Sequence, residues 1–173
     1  MAITTSRILD VATAVTPSVT SIEHHGDVSI VVPTEHLIDV LTELRDHPDT
    51  QFAMLVDITA IDWASGAAPT PAERFHVVYL LSSLQHGARL RVKVPVREDR
   101  PHVPTAVGVW ESANWYERET FDMYGIIFDG HPDLRRFYMP EDFMDEQGEP
   151  LYPLRKDFPL MGIPGSLPLP PKD

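Results

Sequence analysis

The sequence contains no cysteine. Disulfides, thiolate zinc sites and iron–sulfur clusters ligated by this chain are thereby excluded, and any redox chemistry must belong to another chain or a bound cofactor. Positive charge is scarce: 14 Lys and Arg against 26 Asp and Glu give a formal net charge of −12. A general nucleic-acid binder needs clustered cations, and an anionic membrane surface disfavours so acidic a chain, so neither is expected as the main partner. No stretch approaches the roughly 20 apolar residues that span a bilayer. Residues Met1–Asp10 hold a single cation, and Asp10 interrupts their apolar run, so they do not read as a secretory signal. Also missing are a phosphate-cradling glycine loop, a Gly-x-Ser-x-Gly elbow and any His-x-x-x-His pair. His24 and His25 are adjacent, and on a strand they point to opposite faces, a poor chelating arrangement. The chain is expected to be soluble or peripheral.

Proline is in excess. There are 17 in 173 residues, and nine of them fall from Pro132 onward. Before that region the pattern is regular. Ile8, Leu9, Ala12 and Val15 predict a helix over 5–15 that Pro17 closes. A hairpin is expected to turn at Gly26-Asp27 into Val28–Val32. Thr34 is a candidate cap for a helix carrying Leu37, Val40, Leu41 and Leu44, which His47-Pro48 ends. Three strands follow. Phe52–Ile61 is apolar enough to be covered on both faces, and Phe75–Leu81 is similar. In the third, Arg89, Arg91 and Lys93 alternate with Leu90, Val92, Val94 and Val96, and Pro95 marks an edge or the strand's end. Residues 65–73 read as a surface loop, Thr105 as the cap of a short helix through Trp110, and Asn114–Gly125 as a second helix. The order implies an α+β two-layer sandwich, with a mostly antiparallel sheet, over residues 1–130.

Residues 131–173 are expected to be an extended, proline-rich tail. Fixing a residue's backbone costs roughly 1–2 kcal/mol, so ordering about 30 of them requires very roughly 1,200–2,400 Å² of apolar burial at about 25 cal/mol per Å². The tail carries many aromatic and aliphatic residues, from Leu134 and Phe137 to Met161 and Ile163, unlike a disordered linker. A small domain has little spare surface of that kind, which favours wrapping onto partner subunits over packing on its own domain.

The densest chemistry is Trp115–Gly125. On a helix, Arg118 and Asp122 lie at i, i+4 and Glu119 and Asp122 at i, i+3. One reading is a stand-alone hydrolase using Glu119, Asp122 and His131 for acid–base or metal work. The preferred reading is an interface ion-pair network in which Arg118 pairs with Asp122. His131-Pro132-Asp133-Leu134-Arg135-Arg136 adds a turn and two guanidiniums suited to carboxylates. Glu141, Asp142, Asp145, Glu146 and Glu149 form an acidic loop expected to be solvated.

Glu117-Arg118-Glu119-Thr120-Phe121-Asp122-Met123-Tyr124-Gly125-Ile126, followed by Gly130-His131-Pro132-Asp133-Leu134-Arg135-Arg136, closely resembles the signature of the thirty-kilodalton-type NADH dehydrogenase subunit family. That family belongs to proton-pumping NADH:quinone oxidoreductase, respiratory complex I. Leu55–Trp63, Arg91–Val96, Val103-Pro104-Thr105 with Trp110, and Leu154-Arg155-Lys156-Asp157-Phe158-Pro159 extend the resemblance over about residues 52–160. Phe137 and the rearranged stretch 144–152 depart from it. The resemblance implies a peripheral-arm subunit that scaffolds the quinone-reducing module and is itself non-catalytic and free of cofactor. FMN, iron–sulfur clusters and quinone would sit in partner subunits, and electron transfer through them would be coupled to proton translocation. Its partners would be other hydrophilic-arm subunits, especially the one that forms the quinone site, on the cytoplasmic face of a bacterial inner membrane. An equivalent subunit of a membrane-bound hydrogenase, or of a ferredoxin- or deazaflavin-dependent complex, is the alternative. The residues expected to order the tail and the docking surface are Glu117, Arg118, Glu119, Asp122, Gly125, His131, Pro132, Arg135, Arg136, Arg155, Lys156 and Asp157.

Overall fold

Two short helices cover one face of a five-stranded sheet. A computed structural model describes residues 3–64 and 73–158. The first helix, α1 (Thr5–Val15), buries Ile8, Val11 and Ala12, and the Thr4 hydroxyl accepts the Arg7 amide at its start. Strands β1 (Thr20–His24) and β2 (Asp27–Val31) form a hairpin whose two loop residues are His25 and Gly26. Both have positive φ, 52° and 84°, the geometry that matches strand twist in a two-residue loop. The turn therefore sits one residue earlier than Gly26-Asp27.

Helix α2 (Leu37–Asp46) buries Leu37, Val40, Leu41 and Leu44, the stripe that its spacing predicts. Thr34 does not cap it. A 3-10 turn over Thr34–His36 intervenes, and the Thr34 hydroxyl donates instead to the Pro95 carbonyl at 3.4 Å. His47, extended before Pro48, ends the helix.

Strands β3 (Met54–Asp62), β4 (Phe75–Ser83) and β5 (Ala88–Val96) complete the sheet in the order β1-β2-β5-β4-β3. Only the β2–β5 pair is parallel. Ile30, Val77, Tyr79, Leu81, Leu90, Val92 and Val94 meet α1 and α2 in the core. Strand β3 is not covered on both faces. It is the sheet's edge, it carries a bulge between Leu55 and Asp57, and Met54 and Val56 are exposed. Pro95 lies beyond the last β2–β5 pair, one residue from the end of β5, where a missing amide costs no ladder bond to β2.

A two-stranded parallel ladder, β6 (His102–Pro104) with β7 (Ile127–Asp129), was not legible as strands. Thr105–Trp110 forms a single turn rather than a helix; the Thr105 hydroxyl accepts the Val107 amide at 3.2 Å. Helix α3 (Ala113–Tyr124) runs beside β3 and ends at Gly125, whose φ of 72° is the left-handed conformation of a helix stop. The Thr120 hydroxyl donates to Ile58 O at 2.9 Å and the Trp110 indole to Ala53 O at 3.1 Å, so the helix and the preceding turn satisfy acceptors of the β3 region. Of the expected 65–73 loop, all but Glu73 lies outside the described residues. From His131 to Phe158 the chain has no helix or named strand; Asp145 accepts the amides of Gln147 and Glu149 and closes a small loop.

Candidate functional site

Helix α3 turns charge inward. Glu117, Arg118, Thr120 and Asp122 are all buried on it, while Trp115 is exposed. Buried charges must find partners, and Asp122 finds its own in the segment after Gly130.

Asp122 is the hub. One carboxylate oxygen accepts Arg136 Nη1 at 3.0 Å; the other accepts the backbone amides of Phe137, Tyr138 and Met139 at 3.2, 2.8 and 2.9 Å. Arg136 Nη2 also donates to Leu151 O at 3.1 Å, and its guanidinium lies over the Tyr152 ring. Arg118 does not pair with Asp122, contrary to the i, i+4 expectation. Its Nε donates to Arg135 O at 3.2 Å, and its guanidinium lies 4.9 Å from the Trp115 ring centre and 5.0 Å from that of Phe137.

A second buried carboxylate holds the far end of the segment. Asp62, at the end of β3, binds Arg74 through Nε and Nη2 at 3.0 and 2.8 Å and accepts the amides of Ala64 and Lys156 at 2.9 and 2.8 Å. Burial alone would raise its pKa; the Arg74 guanidinium and the two amides overcome that and hold it below the ordinary carboxylate value. Arg74 Nη2 also meets Asp157 at 2.9 Å. Arg155 Nε donates to Tyr124 O at 2.6 Å, and the guanidinium stacks on Tyr152 and Phe75. Burial lowers the Arg155 pKa, yet this guanidinium remains charged at any physiological pH. Gly125 lies directly beneath this stack: a Cβ there would stand 2.5 Å from the Tyr152 ring and 2.6 Å from Arg155 Nη2. Only glycine fits both the close approach and the positive φ.

Glu117 ties the body together instead. It accepts the Thr105 hydroxyl at 2.5 Å and the Ala106 amide at 2.6 Å, and burial pushes its pKa up to about 7. The buried Tyr79 hydroxyl has no partner among the described residues, and its pKa is raised by burial and by the Glu117 charge. Glu119 is half-buried, raised first by burial and then by the Asp57 carboxylate. His131 Nε2 bonds Asn114 O at 3.1 Å while Nδ1 accepts the Asp133 amide at 3.0 Å. Pro132 is exposed in that turn, Arg135 is exposed and bound to Asp133, and Lys156 contributes its backbone amide.

The hydrolase triad gains no support from this geometry. Asp122 accepts four hydrogen bonds from the segment, and both His131 nitrogens are engaged by backbone. Among the described residues no group of three or more His, Asp or Glu converges to hold a metal ion, and no helix is long and apolar enough to cross a membrane. Sequence reasoning did not single out Asp62 and Arg74 as site residues. The available cue was a lone arginine before an apolar strand, opposite the aspartate that ends the neighbouring one.

Residues 30–164 match the family model described as the respiratory-chain NADH dehydrogenase 30 Kd subunit. An NADH-quinone oxidoreductase subunit of Methylorubrum populi is 45% identical over 139 residues, 80% of this chain and 58% of the relative. The like-named subunit of Rhizobium rhizogenes is 44% identical, over 80% of this chain and 64% of its own. One from Rhizobium meliloti is 47% identical, over 83% and 72%. The chain thus spans rather more than half the length of the first two. Among solved structures, a trypsin-resistant fragment (1–134) of Nqo5 aligns with a TM-score of 0.64 and 37% identity, over 75% of this chain and 98% of the fragment. A chain of the membrane-bound sulfane sulfur reductase, an archaeal respiratory membrane complex, shares the fold at a TM-score of 0.69 over 90% of this chain and 86% of its own, with 24% identity.

Proposed function

The chain belongs to the family of the respiratory-chain NADH dehydrogenase 30 Kd subunit, and from that premise we propose that it is a peripheral-arm subunit of an NADH:quinone oxidoreductase. It braces the quinone-reducing module and holds no cofactor of its own. The observation that carries this reading is the match over residues 30–164, which takes in α3, Asp62, Asp122 and the segment those carboxylates hold.

The donor set is consistent with such a role. With no cysteine, the chain cannot ligate an iron–sulfur cluster through thiolates. FMN, the clusters and quinone would be held by partner subunits, the quinone-site subunit among them, and would supply the electron-transfer chemistry. This chain's residues do something else: Asp122, Arg136, Asp62, Arg74, Arg155 and Asp157 fix a chain segment that would otherwise be costly to order. Phe137, Tyr138 and Leu154 of that segment remain exposed, as an interface core would be before assembly. The place of action would be the cytoplasmic face of the inner membrane, reached through the complex. Likeness to the sulfane sulfur reductase concerns the fold alone; the relatives at 44–47% identity all carry the NADH-quinone oxidoreductase name.

An affinity-tagged full chain, purified from solubilised membranes, tests the reading. The expected result is co-purification with other subunits and NADH-dependent quinone reduction by the assembly, with none by the chain alone. Asp122→Ala is expected to lower the amount of assembled complex more than the activity per assembled complex. Turnover by the isolated chain, or co-purification with no other subunit, would sink the proposal.

A further inference from the structure

Three aromatic side chains stand together on the outside of α3 and the segment after it. Trp115 and Tyr138 are 58% and 56% exposed and Phe137 is 37% exposed. Trp115 meets Phe137 edge-on at 5.6 Å, and Phe137 lies against Tyr138 at 4.1 Å, so the three make one continuous patch. Arg118 lies between the Trp115 and Phe137 rings, and the residue is only 4% exposed.

Arg118 differs from Arg74 and Arg136 and resembles Arg155, whose Nε also donates to a carbonyl and whose guanidinium also lies over two rings. Arg74 and Arg136 each bond a carboxylate directly, at 2.8 and 3.0 Å. Arg118 has one hydrogen bond among the described residues, from Nε to a carbonyl, which leaves the fork of its terminal nitrogens without an acceptor there. The carboxylate that feels its charge, Asp133, is already taken by Arg135 Nε at 2.9 Å. In a chain of net charge −12, an arginine whose terminal nitrogens bond no carboxylate among the described residues can take an acidic group from outside. Trp, Tyr and Arg at the centre of an exposed apolar patch are also the residue types that dominate binding energy at protein interfaces.

We propose that the Trp115–Arg118–Phe137–Tyr138 patch receives a carboxylate-bearing, otherwise apolar segment of a neighbouring protein chain in the assembled complex, with an Asp or Glu side chain forking onto the terminal nitrogens of Arg118. The aromatic rings exclude water from that pair, and the pairing gives the guanidinium fork a bidentate acceptor. This rests on the proposed role as a complex subunit and names what one face of it binds.

The test uses the intact complex in two forms. In one, Arg118→Lys places a primary amine at the site, and a zero-length carbodiimide couples it to any carboxylate in contact. In the other, benzoylphenylalanine replaces Trp115 and is activated by light, which covers the case of an unreactive amine. The expected result is an adduct, absent from the unsubstituted complex, that joins position 118 or 115 to an Asp- or Glu-containing peptide of another subunit. Adducts to residues 159–173 of this chain, to a second copy or to lipid would overturn the inference, as would an intact complex with no adduct in either form. A chain that co-purifies with no other subunit would instead overturn the functional reading on which it rests.

Discussion

The body up to Gly130 and the segment from His131 to Phe158 are held by different forces. In the body, apolar side chains meet across two layers: Leu37, Val40, Leu41 and Leu44 of α2 against the sheet residues Val77, Tyr79, Val92 and Val94. The segment inverts this. Asp122 and Asp62 are buried and carry it through hydrogen bonds to its backbone and arginines, while Phe137, Tyr138, Met144 and Leu154 face out. An apolar core is non-directional and tolerates repacking, whereas a carboxylate that accepts three successive amides fixes one backbone path. The segment is therefore shaped by its polar contacts and leaves Phe137, Tyr138, Met144 and Leu154 exposed. Directed bonds to buried carboxylates thus meet part of an ordering cost that apolar burial alone was expected to carry.

The sharpest way to break the contrast is Asp122→Ala. It strands Arg136 and three amides at once, and removing one partner of a buried pair costs about 3–5 kcal/mol. Amide hydrogen exchange reads the two regions separately. The amides of Phe137, Tyr138 and Met139 are expected to lose protection while that of Val92 keeps it. Equal loss at both places would mean that body and segment unfold as one cooperative unit and that the distinction has no energetic content.

Glu117 is the buried carboxylate of α3 whose partners, Thr105 and Ala106, lie in the body, and it sharpens the comparison through pH. Its folded pKa is raised, mainly by burial, from the ordinary 4.5 to about 7, with the Thr105 and Ala106 bonds pulling the other way; the facing Tyr79 phenol stays protonated throughout. Between those values the folded chain holds a proton that the unfolded chain has lost. Stability therefore falls as pH rises through that window, by roughly 3 kcal/mol, and levels off above it. Asp62 has the opposite sign: its pKa is depressed in the folded state, so its contribution is present above the ordinary carboxylate range and is lost as pH falls below it. Denaturant titrations at about pH 5 and about pH 8 are expected to show the decline in the native chain and a much smaller one in Glu117→Gln. An unchanged slope in that variant would assign the pH dependence elsewhere.

The body was legible because its signals are periodic and local. The 3.6-residue stripe of α2 and the alternation from Arg89 to Val96 each predict one face, and the structure buries those faces. Errors came where a long-range contact decided the outcome. Thr34 had the right chemistry for a cap, but the Pro95 carbonyl took its hydroxyl, and α3 and the Trp110 turn met acceptors at an edge that made Phe52–Ile61 look doubly covered. In the site, the motif residues were visible and their pairing was not. Spacing on one helix offered Arg118 to Asp122; only the fold brings in Arg136, and only the fold sets Asp62 and Arg74 against Lys156 and Asp157, some 80–95 residues away along the chain.

The smallest expected effect is also the most discriminating. Arg135 and Arg136 are neighbours with the same side chain, yet Arg136 is enclosed and bonds Asp122 and Leu151 O, while Arg135 is exposed and bonds only the exposed Asp133 two residues back. An exposed ion pair is screened by water and salt and loses side-chain entropy on forming, so its net worth is small. Arg135→Ala is expected to leave the unfolding midpoint of the isolated chain unchanged within error, and Arg136→Ala to free the segment as Asp122→Ala does. The charge removed is the same in both variants, so any difference between them measures burial and directed bonding alone. A matching loss in both would show that net charge near α3, rather than the Asp122 hub, holds the segment in place.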